Sequence, residues 1–180
     1  MRVPTVALPT ERWRPPSLYV DLVPQTAWAS NLRSVLSEEE WGVCKRLAYA
    51  RAGHRCEVCG GRGPKWPVEA HERWDYDDAG GVQTLVDLVA LCPDCHEASH
   101  MGLASVNGRM EAALAHMARV NGWTAAQARE HARAAFAAWS ARSDRRWLLD
   151  ARWVLRHGIP IAAATAARIE AMAAGAAPRG

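Results

Sequence analysis

Apolar positions recur at helical spacing in several stretches of the chain and alternate with polar ones in others. Ser37-Glu38-Glu39-Glu40 is a capping-box pattern, and the helix it opens buries Trp41, Cys44 and Leu47-Ala48 and ends near Gly53. An alanine-rich helix is expected over residues 109–120, with Asn121-Gly122 as its C-cap. Thr124-Ala125-Ala126-Gln127 opens another, running to about residue 140, with Leu114, Met117, Phe136 and Trp139 as packing contacts. Residues 161–174 read as a terminal alanine-rich helix and 175–180 as a fraying end. Strand patterns fall at residues 18–23 (stopped by Pro24), at 66–74, and at 82–91, the last broken near Asp87. Alternation of Trp147, Leu149, Ala151, Trp153 and Leu155 with charged residues predicts a further strand. Gly60-Gly61-Arg62-Gly63-Pro64 is a loop and residues 75–81 a polar turn. Pro93 suits the first turn of a helix that carries His96 and His100 and stops at Gly102.

The expectation is an α+β fold. An extended, proline-rich arm (1–17) precedes a strand and helix (18–53). A core of strand, loop, strand and helix follows (54–102), then an Arg-rich helical region ending in a strand (103–160), then the Ala-rich helix and tail (161–180). At 180 residues and 49% apolar composition, one domain, or one domain with appendages, is expected, able to bury an ordinary core.

Charge changes the picture unevenly. Residues 1–100 carry 11 Lys+Arg against 14 Asp+Glu, whereas residues 101–180 carry 11 against 5, every cation there an arginine. An arginine-only basic half suits phosphate contact, and solvated helix faces would have the same composition. The nine tryptophans are scattered, and their ordinary role is core packing, with base stacking open to one or two of them. With no leader-like apolar segment and no membrane-length apolar run, the expected location is the cytoplasm. Thiols stay reduced there, so paired cysteines point to metal sooner than to disulfides. Cys44, alone on an apolar helix face, reads as a small core residue.

The densest chemistry lies in residues 56–100. Cys56-Glu57-Val58-Cys59 and Cys92-Pro93-Asp94-Cys95 are two Cys-x-x-Cys knuckles able to close one tetrahedral zinc site. The segment between them exceeds a zinc ribbon's spacing, so it must hold structure. His96 and His100, four apart, share a helix face. Glu69-Ala70-His71-Glu72 lies on the first strand, and Glu69, Glu72, Asp75, Asp77 and Asp78 gather acidic charge there. Strand alternation places Glu69 and His71 on one face and Glu72 on the other. His54, His116, His131 and His157 have no motif partners and read as surface or satisfied core histidines.

Strand, loop, strand, helix with His71, Asp87, His96 and His100, framed by the two cysteine pairs, resembles the zinc-stapled HNH (ββα-metal) endonuclease family over residues 54–101. The resemblance implies a structural zinc on Cys56, Cys59, Cys92 and Cys95. It also implies a second divalent metal (Mg²⁺, Mn²⁺, Ni²⁺ or Zn²⁺) on His71, His96 and His100, and hydrolysis of DNA phosphodiester bonds. One register makes His71 a ligand and Glu72 the general base; the other makes His71 the base and puts Ala70 at a ligand position. Asp87 falls where the family has its loop asparagine. Glu72 and Asp87 therefore depart from the usual histidine and asparagine. Two other readings stand beside the nuclease: a zinc-stapled nucleic-acid-binding module that no longer cuts, and a three-histidine metal enzyme acting on a small molecule.

Overall fold

The computed structural model describes residues 18–175; the arm expected at 1–17 and the tail after Gly175 lie outside them. Two antiparallel strands, β1 (Glu69–Asp77) and β2 (Val82–Leu91), form the central hairpin. A short strand, β3 (Leu148–Asp150), adds in parallel to the start of β2, giving the order β1-β2-β3. Helices cover both faces: α1 (Leu32–Val35) and α2 (Glu38–Arg51) precede the hairpin. α3 (Pro93–Ser99), α4 (Met101–Val106), α5 (Met110–Asn121) and α6 (Ala125–Ser143) follow it. α7 (Trp153–Arg156) and α8 (Ala163–Gly175) close the fold.

The hairpin divides the core in two. Val89 and Leu91 face the cluster built by Leu18, Val20, Met101, Leu114, Met117 and Ala132. Leu88 faces the other, with Leu32, Cys44, Ala48, Trp153, Val154 and Ile169. Leu85 and Leu88 are three residues apart yet share this second cluster, which simple alternation forbids. A bulge resolves it: Arg73 pairs with Asp87 but Trp74 with Leu85, leaving Val86 unopposed. The expected break near Asp87 is this bulge inside a continuous strand. β1 likewise runs on to Asp77, so the turn shortens to residues 78–81.

Three expectations change. Residues 18–23 are extended but form no strand, because helix side chains and a helix carbonyl take their backbone groups. Leu18 N donates to Asn121 Oδ1 (3.1 Å) and Leu18 O accepts from Asn121 Nδ2 (2.6 Å). Val20 N donates to His131 Nε2 (3.0 Å), and Asp21 N to Ser99 O (2.9 Å). Second, the alternating stretch from Trp147 pairs only over β3. Asp150 Oδ1 accepts from Arg152 N (2.9 Å), a local turn that ends the strand and starts α7. Third, the helix after Pro93 does not stop at Gly102; it breaks at His100 (φ −88°, ψ 49°) and resumes as α4 to Val106. The capping boxes at Ser37 and Thr124 form as their spacing implies.

Glu40 ties α2 to the entry of α8. Its carboxylate completes the α2 box with Ser37 N (2.8 Å) and also accepts from Ala162 N (2.8 Å) and Thr165 Oγ1 (3.2 Å) at the entry to α8. The Ser37 and Ala162 N–H bonds hold its pKa below the usual glutamate range. A group whose folded pKa is depressed contributes fully above its unfolded pKa and loses that contribution as pH falls through the folded value. We expect Glu40→Ala to cost about 1–2 kcal/mol in urea unfolding at neutral pH. The gap to wild type should close in acid; a constant gap at all pH values would contradict the assignment.

Candidate metal centres

The loop after α2 folds into the first knuckle. Gly60 takes a left-handed conformation (φ 71°) so that its N–H can reach Cys56 O (2.9 Å), while Gly61 N points at Cys59 Sγ (3.4 Å). Gly63 lets the loop close on the second knuckle, since a Cβ there would meet Trp66 O at 2.2 Å and Pro93 Cδ at 2.6 Å. Pro93, at the start of α3, needs no N–H partner, and Cys92 and Cys95 flank this turn. The sulfurs of Cys56, Cys59, Cys92 and Cys95 lie within 4.8 Å of one another. Cys59 Sγ and Cys92 Sγ are 3.6 Å apart, close to the ~3.8 Å edge of a tetrahedron with ~2.3 Å metal–sulfur bonds. Contact with Cys95 draws the Cys56 thiol down to about 4 and pushes Cys95 far up. Cys92 is pushed up to about 11 by burial first. Cys56 ionises readily while Cys92 and Cys95 resist, which is how crowded sulfurs behave until a cation shares their charge.

The second group forms where the helix meets the sheet. His71 points from β1, opposite Val89, into the face that α3 covers. His96 sits on α3 and His100 at the break after it. His71 Nδ1 is 3.3 Å from His100 Nε2, which is 3.1 Å from His96 Nε2. The three rings stand at 71–82° to one another, so they converge on a point instead of stacking. A tetrahedral ion with ~2.1 Å metal–nitrogen bonds needs edges of about 3.4 Å, so the separations fit. Burial, then the neighbouring histidines, pushes His100 down to about 3, and burial also lowers His96. Neutral rings keep the lone pairs a metal requires.

Carboxylates stand behind two of the rings. Glu69 Oε2 lies 2.5 Å from His96 Nδ1, and buried Asp21 Oδ2 lies 3.4 Å from His71 Nε2. In both cases it is the ring nitrogen turned away from the other histidines that faces the carboxylate. That is the arrangement that fixes a metal-binding imidazole's tautomer and orientation. Asp21 carries no spacing signal in the sequence because it comes from the segment before α1. Glu69 was visible as sharing His71's strand face. His116, expected to be without a motif role, also belongs here: its Nε2 is 3.1 Å from Cys95 Sγ. Arg119 can only donate, and its NH2 meets His116 Nδ1 at 2.7 Å. The proton of the neutral ring therefore sits on Nε2 and is donated to the sulfur. Only its i, i+3 spacing to Arg119 could have hinted at this.

Glu72 and Asp87 are placed differently. Glu72 leaves the opposite face of β1, and its Oε1 accepts from Leu32 N (3.0 Å) at the start of α1. Burial raises its pKa above the usual glutamate range. It nevertheless lines the same cavity as His100. Asp87 shares the His71 face but sits two pairs along the ladder, opposite Arg73. It accepts from Leu88 N (2.7 Å) and lies 3.4 Å from Arg51 NH1, with burial raising its pKa. Arg51 also bonds Leu88 O and Glu57, and Glu57 bonds Ala90 N, so this pair covers the edge of β2 beside the first knuckle. The acidic run does not all crowd the site. Asp77 lies six residues along β1 from His71, roughly 20 Å at ~3.3 Å per residue, and Asp78 is held by Arg142 and Arg145.

No protein-family model, curated protein or solved structure matches the chain. The site thus stands on its geometry: a four-cysteine cluster and a three-histidine group, each able to hold a metal ion, at the two ends of α3. Among the described residues no helix is long and apolar enough to cross a membrane. If Asp21 orients His71 as a ligand, Asp21→Asn should weaken metal affinity at the histidine group by about 10–100-fold and leave the sulfur group unchanged. Competitive chelator titration reads both; equal loss at both groups, or none, would contradict the role.

Proposed function

We propose that this protein is a metal-dependent endonuclease of the HNH type, hydrolysing phosphodiester bonds in DNA. What carries the reading is the convergence of His71, His96 and His100 from a β-hairpin and the helix behind it, with sulfurs clamping that helix to the chain before the hairpin. Structural zinc on Cys56, Cys59, Cys92 and Cys95 fits a closed thiolate site, and three imidazoles leave open positions for water and substrate. A divalent cation on the histidines (Mg²⁺, Mn²⁺, Ni²⁺ or Zn²⁺) would supply Lewis acidity at the scissile phosphate and the leaving 3′ oxygen. Imidazole donors favour the later first-row metals over Mg²⁺.

The chain's own groups supply the rest. Glu72 takes the proton from the attacking water as the new O–P bond forms and the bond to the 3′ oxygen breaks, that oxygen gaining its proton from solvent. Its carboxylate is steadied by Leu32 N and fronts the cavity that His100 also lines. His71, in this register, is a ligand and not the base, in keeping with a ring nitrogen turned toward His100 and a carboxylate on the other side. Asp87 acts at a distance, its bonds to Arg51 and Leu88 N holding the strand edge next to the metal-bearing face. The arginines of the back half reach phosphate by exchanging partners. Arg109, Arg129, Arg133, Arg142 and Arg152 are paired with carboxylates at the surface, where water and salt weaken such pairs.

One observation favours a second reading, a zinc-stapled binding module that does not cut. Both Glu72 and Asp87 already accept hydrogen bonds from the fold. Supercoiled plasmid incubated with each metal in turn separates the two. The nuclease reading expects nicked circles with at least one metal and loss of nicking by a factor of about 10² or more in Glu72→Gln and in His96→Ala. Nicking that survives His96→Ala would refute the proposed centre, and salt-sensitive binding without nicking would establish the module.

A further inference from the structure

A cavity of about 600 Å³ opens beside the histidine group, with His100 in its wall. That volume lies within the ~300–1,000 Å³ usual for sites that enclose a small organic group. Trp28, Trp74, Phe136 and Trp139 give it aromatic walls. Two of these rings are oriented by one carbonyl, since Trp28 Nε1 and Trp139 Nε1 both donate to Val23 O, at 2.9 and 3.0 Å. Trp28, Leu103 and Val106 stay 62–83% exposed although they line it, so the apolar surface is left facing solvent at the cavity mouth. Exposed apolar patches of this kind mark binding sites more often than idle surface. The charged groups lining the cavity are Asp21, Glu72 and Arg33. Two carboxylates disfavour a phosphate inside, and Arg33 offers a cation to a phosphate alongside.

We propose that this cavity receives one unpaired base of a nucleic-acid strand, stacked against the tryptophans, with the adjoining phosphate lying toward His100 and the metal group. The inference rests on the nuclease reading and adds to it a substrate form, single-stranded or locally opened nucleic acid. A base inside an intact duplex is stacked on both faces and cannot enter without flipping, which costs unpairing energy. Stacking on an aromatic ring is tolerant of base identity, so sequence selectivity at this position is weak.

Trp28 and Val106 lie on the surface and outside the metal group, so Trp28→Ala and Val106→Asp alter the cavity without touching the ligands. A labelled short single-stranded oligodeoxynucleotide, its duplex form, deoxyadenosine monophosphate and inorganic phosphate are compared by anisotropy and competition. The single strand should bind more tightly than the duplex. Each cavity variant should weaken strand binding by about tenfold, and the mononucleotide should compete better than phosphate. Equal binding of strand and duplex, unchanged binding in both cavity variants, or competition by phosphate equal to that of the mononucleotide would each overturn the proposal. Loss of nicking with cavity binding intact would count against the nuclease reading alone. Intact nicking with cavity variants that bind like wild type would count against the cavity alone.

Discussion

Four sulfurs within 4.8 Å of one another join the loop after α2 to the first turn of α3. That closure sets where α3 lies on the hairpin, and hence whether His96 and His100 can meet His71. Gly63 packs without a side chain against Pro93, and the Arg51–Glu57 pair seals the neighbouring strand edge. His116 adds a hydrogen bond to Cys95 from α5, tying the cluster to the helices behind it. A dication on the sulfurs would convert mutual repulsion of thiolates into attraction, so folding of this segment and metal binding are coupled.

The second centre depends on the first but draws on parts of the chain far from it. Asp21 comes from an extended segment with no sheet partner, held by Asn121, His131 and Ser99. Three helices therefore cooperate to put one carboxylate behind His71. The two core clusters on either side of the hairpin make this possible, and the bulge at Val86 decides which residues face which cluster. Because of it, Asp87 faces the His71 side while Leu85 stays with Leu88 in the other core.

Local signals in the sequence carried most of the fold. Capping residues at Ser37 and Thr124, Gly122 after α5 and Pro93 before α3 mark helix ends because each satisfies or removes a backbone group locally. The cysteine spacing and the i, i+4 histidines marked both metal groups for the same reason. What the sequence hid is long-range. Residues 18–23 have a strand's pattern but find helix side chains where a strand would need a sheet edge, and Trp153 alternates like a strand residue yet starts a helix once Asp150 has turned the chain. Asp21 and His116 gain their roles only through contacts with distant segments, which no local pattern encodes.

Cobalt(II) titration of the metal-free protein, followed by visible absorption, tests the central claim most directly, because sulfur and nitrogen donors give different spectra. Two equivalents should bind, one with thiolate-to-metal charge transfer and one without, and His96→Ala should remove only the latter. A single thiolate-bound equivalent in the wild type would contradict the account and leave the histidines as packing residues.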